Sequence, residues 1–255
     1  MSASLPPPTL APAQLVPALL RTGHALLTRA GLAQLVDVDP AALLQLSRSW
    51  NDLPADAYLR DGGRYRRRRH ACCVIDGCEL TEVAHRAHWQ PVEYNALHGG
   101  IERWFEPIQP ATLAAPAWSR LVLGLAEVSS AAKGAQRWYV EANQFRIDTT
   151  DGIGRPTPEG AHRDGVDFVA VALVGRAGVR GGETRVFDAR GPRGIRFTMT
   201  EPWTLLMLDD EHVIHETTPI QPLASVPGEP PAALGHRDTL VLTFRRGGFQ
   251  GPPAA

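Results

Sequence analysis

The chain has 255 residues, 44% of them apolar, which is enough for one packed core and near the upper size that a single core serves. Its 26 basic and 27 acidic side chains leave a formal charge of -1, which excludes the broad cationic surface of a non-specific nucleic-acid binder. No stretch approaches the roughly 18 to 20 uncharged apolar residues of a membrane span, and MSASLPPPTLAPAQL lacks a basic segment leading into an apolar one, so a cytoplasmic protein without membrane or nucleic-acid partners is expected.

In chain order, residues 1–12 hold a proline triplet and little to bury, and read as a tail. Leu15, Leu19, Leu20, Leu26 and Leu27 recur at helical spacing, and Asp39-Pro40 is an N-cap and first-turn pair opening a second helix, AALLQLSRSW. RDGGRYRRRRHACCVIDG places a Gly-Gly turn before a strand that ends at Asp76-Gly77. Its arginine run, Arg66 to Arg69, is expected at a solvated strand edge with one side chain inward. Cys72, Cys73 and Cys78 form no CxxC pair, and free thiols are expected. Residues 110–135 read as a helix with Trp118, Leu121, Leu125 and Val128 on one face.

Beyond Gln136 the texture is β. Short runs at 138–147, 162–174, 183–188, 197–200, 203–210, 212–220 and 237–245 are separated by Gly and Pro, as in a sandwich or barrel of the jelly-roll kind. Gly181-Gly182 marks a place where two backbones approach. The expectation is one α+β domain spanning 1–255, with 13–135 mainly helical support, 136–247 the β core, and 248–255 a second tail in which Phe249 alone has something to pack.

The chemistry gathers in the β half. His162-Arg163-Asp164, read as part of a strand, sends an imidazole and a carboxylate to one face and Arg163 to the other. With His215 from a later strand they form two imidazoles and one carboxylate, the facial set of a non-haem Fe(II) site with open positions. His212 competes with His215 on spacing alone. A co-substrate chelating the iron would need a cation deeper in the barrel, and Arg237 and Thr239 share a face of the last strand, able to grip one carboxylate together.

The order HxD, GGET, HETTPI and RDT resembles the double-stranded β-helix (cupin-like) Fe(II)/2-oxoglutarate dioxygenases. More narrowly, HWQPVEYNALHGGIERWFEPI, EANQFRI, PTPEGAHRDGVDFVAV, GGETRVFD, LMLDDEHVIHETTPI and HRDTLVLTFRR resemble bacterial free amino acid hydroxylases typified by L-isoleucine 4-hydroxylase, over roughly residues 50 to 246. The resemblance implies a double-stranded β-helix behind an N-terminal helical layer. It implies His162, Asp164 and His215 as iron ligands, favouring His215 over His212, and Arg237 with Thr239 as the 2-oxoglutarate clamp. It also implies Fe(II) as cofactor, 2-oxoglutarate and O2 as co-substrates, and hydroxylation of a free L-amino acid with release of succinate and CO2. Related halogenases carry a small residue at the carboxylate position, so Asp164 points to hydroxylation or another oxidative C–H reaction.

For the substrate, Gln144 and Arg146 share a face of the strand before HxD and point inward or outward together. Facing inward, Arg146 would hold an α-carboxylate with Gln144 in support; facing outward, it would pair with Asp148 or Glu141. Glu159 is placed to take an α-ammonium, or is a solvated loop charge. Tyr94, Trp104 and Phe105 either wall the pocket or join the helical layer to the barrel. His88 and His98 flank a family-like segment, and structural roles are expected for them. The oligomeric expectation is a monomer or homodimer. The alternatives are a 2-oxoglutarate oxygenase acting on a derivatised, carrier-bound or peptide-bound amino acid, and a cupin-like protein that binds a small ligand without redox chemistry.

Overall fold

Long antiparallel strands with side chains alternating between two covered faces build the centre of the molecule, seen in a computed structural model that describes residues 5–224 and 234–252. The major sheet runs in the order β1 (His24–Leu27), β9 (Leu205–Asp209), β5 (Phe168–Ala177), β12 (His236–Arg245), β4 (Trp138–Asp148), β2 (Arg66–Asp76) and β3 (Glu79–Glu82). A minor sheet orders β10 (Val213–Thr217), β7 (Thr184–Asp188) and β8 (Gly194–Phe197), and β11 (Ile220–Pro222) pairs with β6 (Val179–Gly181). Most of the SVPGEPPAALG loop lies outside the described residues. Among the described residues no helix is long and apolar enough to cross a membrane.

Helices α1 (Leu15–Thr22), α2 (Arg29–Leu35), α3 (Pro40–Leu46), α4 (Pro110–Leu113) and α5 (Pro116–Lys133) form the other layer. Asp39 caps α3 through its carboxylate, which accepts from Ala41 N at 2.8 Å. Trp118, Leu121, Leu125 and Val128 of α5 are buried as expected and share a core with Leu240, Leu242 and Phe244 of β12. Trp138 packs edge to face on Phe168 and Phe244, so the outer face of the sheet is aromatic as well as aliphatic. A second core, including Leu26, Val169, Val186, Phe197 and Val213, joins the two sheets.

Several sequence expectations change here. The N-terminal half, read as mainly helical with one strand, contributes that expected strand as β2 and adds β1 and β3 to the major sheet. Leu20 is exposed, and the chain leaves α1 through left-handed Gly23 into β1, so Leu26 and Leu27 are strand residues. A third helix, α2, precedes Asn51, capped by the Thr28 hydroxyl. The supposed tails are tied down where they are described: Leu10 N donates to Leu26 O, Thr198 N to Leu5 O, and Gln250 Nε2 to the carbonyls of Asp164 and Gly165. Phe249 packs on Tyr139, as its apolar ring requires.

Gly181-Gly182 behaves as read. Both have positive φ, and a Cβ on Gly181 would sit 2.3 Å from the Pro219 carbonyl oxygen.

Candidate active site

One end of the space between the two sheets opens to solvent and narrows inward to a cavity of about 880 Å³, counting the part open to solvent. Three neighbouring strands of the major sheet present it with residues in register. Arg66, Ile147 and Arg237 form one row, Arg68, Phe145 and Thr239 the next, and His70, Asn143 and Val241 a third. The side chains between them point the other way, toward the helices.

His162 and Asp164 do not lie on a strand: β5 begins at Phe168, and the HxD tripeptide is a loop before it. The two residues therefore do not owe their common direction to strand alternation. Instead His162 makes an isolated antiparallel bridge to His215 of β10, with His162 N donating to His215 O at 3.0 Å and His215 N to His162 O at 2.9 Å. This bridge sets the two imidazoles 4.6 Å apart between ring centroids. Asp164 is fixed by Asp210, a buried carboxylate that accepts from the backbone N–H of Asp164, Gly165 and Val166 at 3.0, 2.7 and 3.2 Å. Gly165 makes the turn possible, with φ +74° and the Tyr94 ring 2.4 Å from where a Cβ would stand. Tyr94 thus braces the ligand turn.

The spacing of these three side chains suits a metal ion. His162 Nε2 stands 3.8 Å from Asp164 Oδ1, and His215 Nε2 3.7 Å from Asp164 Oδ2, too far for hydrogen bonds and open enough for an ion between them. His162 Nδ1 donates to Gly160 O at 2.9 Å, which leaves Nε2 with its lone pair toward the cluster. Burial, followed by the neighbouring His162, pushes the His215 pKa down to about 3, so this imidazole is neutral and able to ligate. At His162 burial acts in the same direction but Asp164 and Glu159 outweigh it, and its pKa is raised. His212 is separate: it is part-exposed and hydrogen-bonded through Nδ1 to Asp209 at 2.8 Å.

A second group, His70, His88 and Glu141, has the same residue types and was not visible as a spacing in the sequence. Here the geometry has closed. Both His70 Nε2 and His88 Nδ1 donate to the same carboxylate oxygen of Glu141, at 3.0 and 2.6 Å. The three groups satisfy one another and form a buried polar network, of which His88 lines the cavity. Burial depresses the His88 pKa to about 3 against the opposing pull of Glu141, so the imidazole is neutral beside an ionised carboxylate.

Arg237 and Thr239 face the cavity from β12, both buried. Arg237 Nε has no hydrogen-bond partner, and burial, with Arg176 nearby, lowers the guanidinium pKa to about 10, so it remains charged. Glu159 also lines the cavity, with Oε2 buried and without a partner and Oε1 3.6 Å from His162 Nε2. These are groups that await a ligand.

Gln144 and Arg146 share a face, as expected, but the outward one. Gln144 Nε2 donates to Ser49 Oγ at 2.7 Å, and Arg146 makes a bidentate pair with Asp238 at 2.8 and 2.7 Å. The cavity face of β4 carries Asn143, Phe145 and Ile147 instead, so neither Gln144 nor Arg146 is placed to touch a ligand there. The arginine run differs too. Ahead of the stretch paired with β3, the arginine run of β2 lies between β4 and, through bridges to Ala55 and Pro107, irregular chain, and both Arg66 and Arg68 are buried inward. Their i, i+2 spacing was the available signal. Phe105 lies beneath Arg68, while Trp104 is exposed and meets His85 edge to face.

Residues 47–243 match the profile of the 2OG-Fe dioxygenase family. Among solved structures, the chain is similar to a bsmA homolog from Methylobium petroleophilum PM1, with 53% identity, 96% of each chain covered and a TM-score of 0.89. It also resembles IDO from Bacillus thuringiensis, at 17% identity, 94% of this chain and 100% of that one covered, TM-score 0.73. The Fe(II)/(alpha)ketoglutarate-dependent dioxygenase TqaL is similar at 17% identity, 92% and 87% coverage, TM-score 0.68. The last two likenesses are of fold, the double-stranded β-helix. A search of curated proteins returns no match.

Proposed function

From membership of the 2OG-Fe dioxygenase family, to which this chain belongs, we propose that it hydroxylates the side chain of a free L-amino acid. The family brings Fe(II) as cofactor and 2-oxoglutarate and O2 as co-substrates. The residues present suit that set: His162, Asp164 and His215 would hold the iron, and Arg237 with Thr239 the far carboxylate of 2-oxoglutarate. When bound, the iron supplies oxygen activation coupled to oxidative decarboxylation of 2-oxoglutarate to succinate and CO2.

The protein's part is positioning. Asp210 holds the Asp164 turn through three backbone hydrogen bonds, and Gly160 O fixes the His162 ring. Arg237 offers a charged fork that its own surroundings leave incomplete. Thr239, two residues on and on the same face, adds a hydroxyl. The cavity has room for small molecules beside the metal cluster.

The observation that carries the amino-acid reading is Glu159, a carboxylate with one oxygen buried and unpartnered, next to His162. An unpaired buried carboxylate is costly. An α-ammonium bound beside the metal ligands would supply both its charge and its hydrogen bonds.

The test is 2-oxoglutarate-dependent O2 uptake with Fe(II), screened against the free L-amino acids, with mass spectrometry for a product one oxygen atom heavier. His162→Ala and Asp164→Ala are expected to abolish succinate formation with folding intact. Undiminished succinate in either variant overturns the metal assignment, and uptake that no free amino acid stimulates overturns the substrate class.

A further inference from the structure

Two guanidiniums in the cavity make no ion pair with any carboxylate among the described residues once Arg237 is given to 2-oxoglutarate. Arg66 is answered by Asp56, Nε to Oδ2 at 2.6 Å. Arg68 and Arg103 are only 3% and 2% exposed, and each bonds a neutral amide oxygen: Arg68 that of Asn143, and Arg103 that of Gln90 at 2.9 Å. The Nε of each is buried without a partner. Phe105 and Phe145 lie against the Arg68 guanidinium, Cζ being 3.6 and 4.5 Å from their ring centroids. Aromatic faces attract the cation but accept none of its directed N–H bonds. A guanidinium does not shed its proton at neutral pH, so burial without an anion is a standing cost, relieved when an anion arrives with a ligand.

The position of the pair is informative. Arg68 and Arg103 converge on one ring, with Arg103 Cζ 6.0 Å from the Phe105 centroid. Arg103 reaches the metal cluster through Gln90, whose Oε1 accepts from Arg103 and from Asn95 while its Nε2 donates to Asp164 Oδ1 at 3.2 Å. Arg237 belongs to β12, on the far side of β4 from Arg68. The cavity therefore has two separate cationic places, and one 2-oxoglutarate far carboxylate fills only one of them.

We propose that Arg68 and Arg103 receive the free α-carboxylate of the substrate, a role that the sequence suggests for Arg146. This rests on the reading of the protein as an amino acid hydroxylase, and narrows it. A substrate whose carboxyl is tied up as an amide, a peptide bond or a carrier thioester carries no charge for this pair, so the substrate class is the untethered α-amino acid. Gln90 then has a positioning role, joining the substrate's carboxylate site to the metal ligand Asp164.

The experiment uses the full protein loaded with Ni(II) in place of iron and saturated with 2-oxoglutarate. It is titrated calorimetrically with free aliphatic, basic and sulfur-containing L-amino acids, their carboxamides and their N-acetyl derivatives. A free acid should bind at least about thirtyfold more tightly than its carboxamide, since truncating one side of a buried charge pair costs at least that much. Arg68→Gln and Arg103→Gln should erase that preference. The affinity for 2-oxoglutarate, read anaerobically from its charge-transfer absorption with Fe(II), should shift less than about twofold if the two carboxylate sites are separate. Arg68→Lys, which keeps the charge but not the fork, should recover part of the preference. Should Arg68→Gln not fold, Arg103→Gln and the acid against amide comparison on the unaltered protein decide the matter.

Equal binding of acid and amide overturns the proposal. So does acid affinity that survives both substitutions, or loss of 2-oxoglutarate binding instead, or no saturable binding by any carboxylate. If N-acetyl acids bind in an Arg68-dependent way while free amino acids do not, the carboxylate site stands and the free-amine reading falls. If free amino acids bind independently of Arg68 and are hydroxylated, that reading stands and the site falls.

Discussion

Arg146→Met separates the two faces of β4. In the structure Arg146 grips Asp238 with two hydrogen bonds of 2.8 and 2.7 Å, the side chains being 20% and 6% exposed. Removing the guanidinium leaves the Asp238 carboxylate nearly buried, with the His236 imidazole beside it, Nε2 3.7 Å away. Breaking a fully buried pair costs about 3 to 5 kcal/mol; the partial exposure of Arg146 admits some solvent, so the expected loss is about 2 to 3 kcal/mol. For a chain of this length that lowers Tm by about 4 to 12 °C, measured by thermal scanning with urea unfolding as a check. Replacing both partners, Arg146→Met with Asp238→Leu, should return stability to within about 1 kcal/mol of the parent, because an apolar pair of similar volume substitutes for the ions. The KM for the amino acid found by the O2-uptake screen should stay within about twofold, since neither side chain reaches the cavity. A tenfold rise in KM with Tm unchanged would falsify the outward placement of Arg146 and restore it as the carboxylate partner.

Two further outcomes are expected. Asp210→Asn replaces an acceptor of three backbone N–H groups by an amide with one oxygen, so the Asp164 turn loosens; metal affinity, read by competition with a chromophoric chelator, should fall about 10- to 100-fold with near-native Tm, and unchanged affinity would show that the turn holds without Asp210. Burial keeps His88 neutral in the fold, its pKa near 3, against about 6.5 in the unfolded chain. As pH falls below about 6.5 the unfolded chain takes up that proton first, so this contribution to stability is full above the unfolded value and lost progressively below it. Between pH 7.5 and 5.5 this loss is on the order of 1 kcal/mol in urea unfolding, and His88→Gln should reduce the acid sensitivity; an undiminished slope in the variant counts against the neutral, buried imidazole.

How far the sequence could be read follows from what each strand's pattern contains. β12 alternates Arg, Thr, Val and Thr on one side with Leu, Leu and Phe on the other, so its two faces, and the inward direction of Arg237 and Thr239, were legible. β4 offered no such contrast. Glu141 and Asn143 lie on one face and Gln144 and Arg146 on the other, and both faces are covered, so alternation joined Gln144 to Arg146 without saying which way they point. The same ambiguity hid Arg68. The residue types of the metal cluster were legible, but the reason for their convergence was not, because the His162 to His215 bridge and the Asp210 hydrogen bonds join segments far apart in sequence. His70, His88 and Glu141 are likewise brought together by β2, an irregular loop and β4, at distances that no local pattern encodes.

Charge is distributed along the cavity with a direction. Of the four cavity arginines, Arg66, Arg68 and Arg237 come from strand rows of the major sheet, whereas Asp164 and Glu159 come from the loop entering β5 and sit beside the His162 to His215 bridge. Two of the cavity arginines are tied to irregular chain outside the strands: Arg66 to Asp56, and Arg103 through Gln90 to Asn95. The irregular segments between α3 and β2 and between β3 and α4 therefore do more than link the helices to the barrel. They set part of the charge and shape of the cavity wall, while His215 of β10 and the Asp210-held turn position the cluster. On the proposed reading, substitutions in those segments that spare Gln90 and Tyr94 are expected to change which side chain is accepted while the ligand cluster holds, seen as a changed substrate ranking in the O2-uptake screen with metal affinity unaltered.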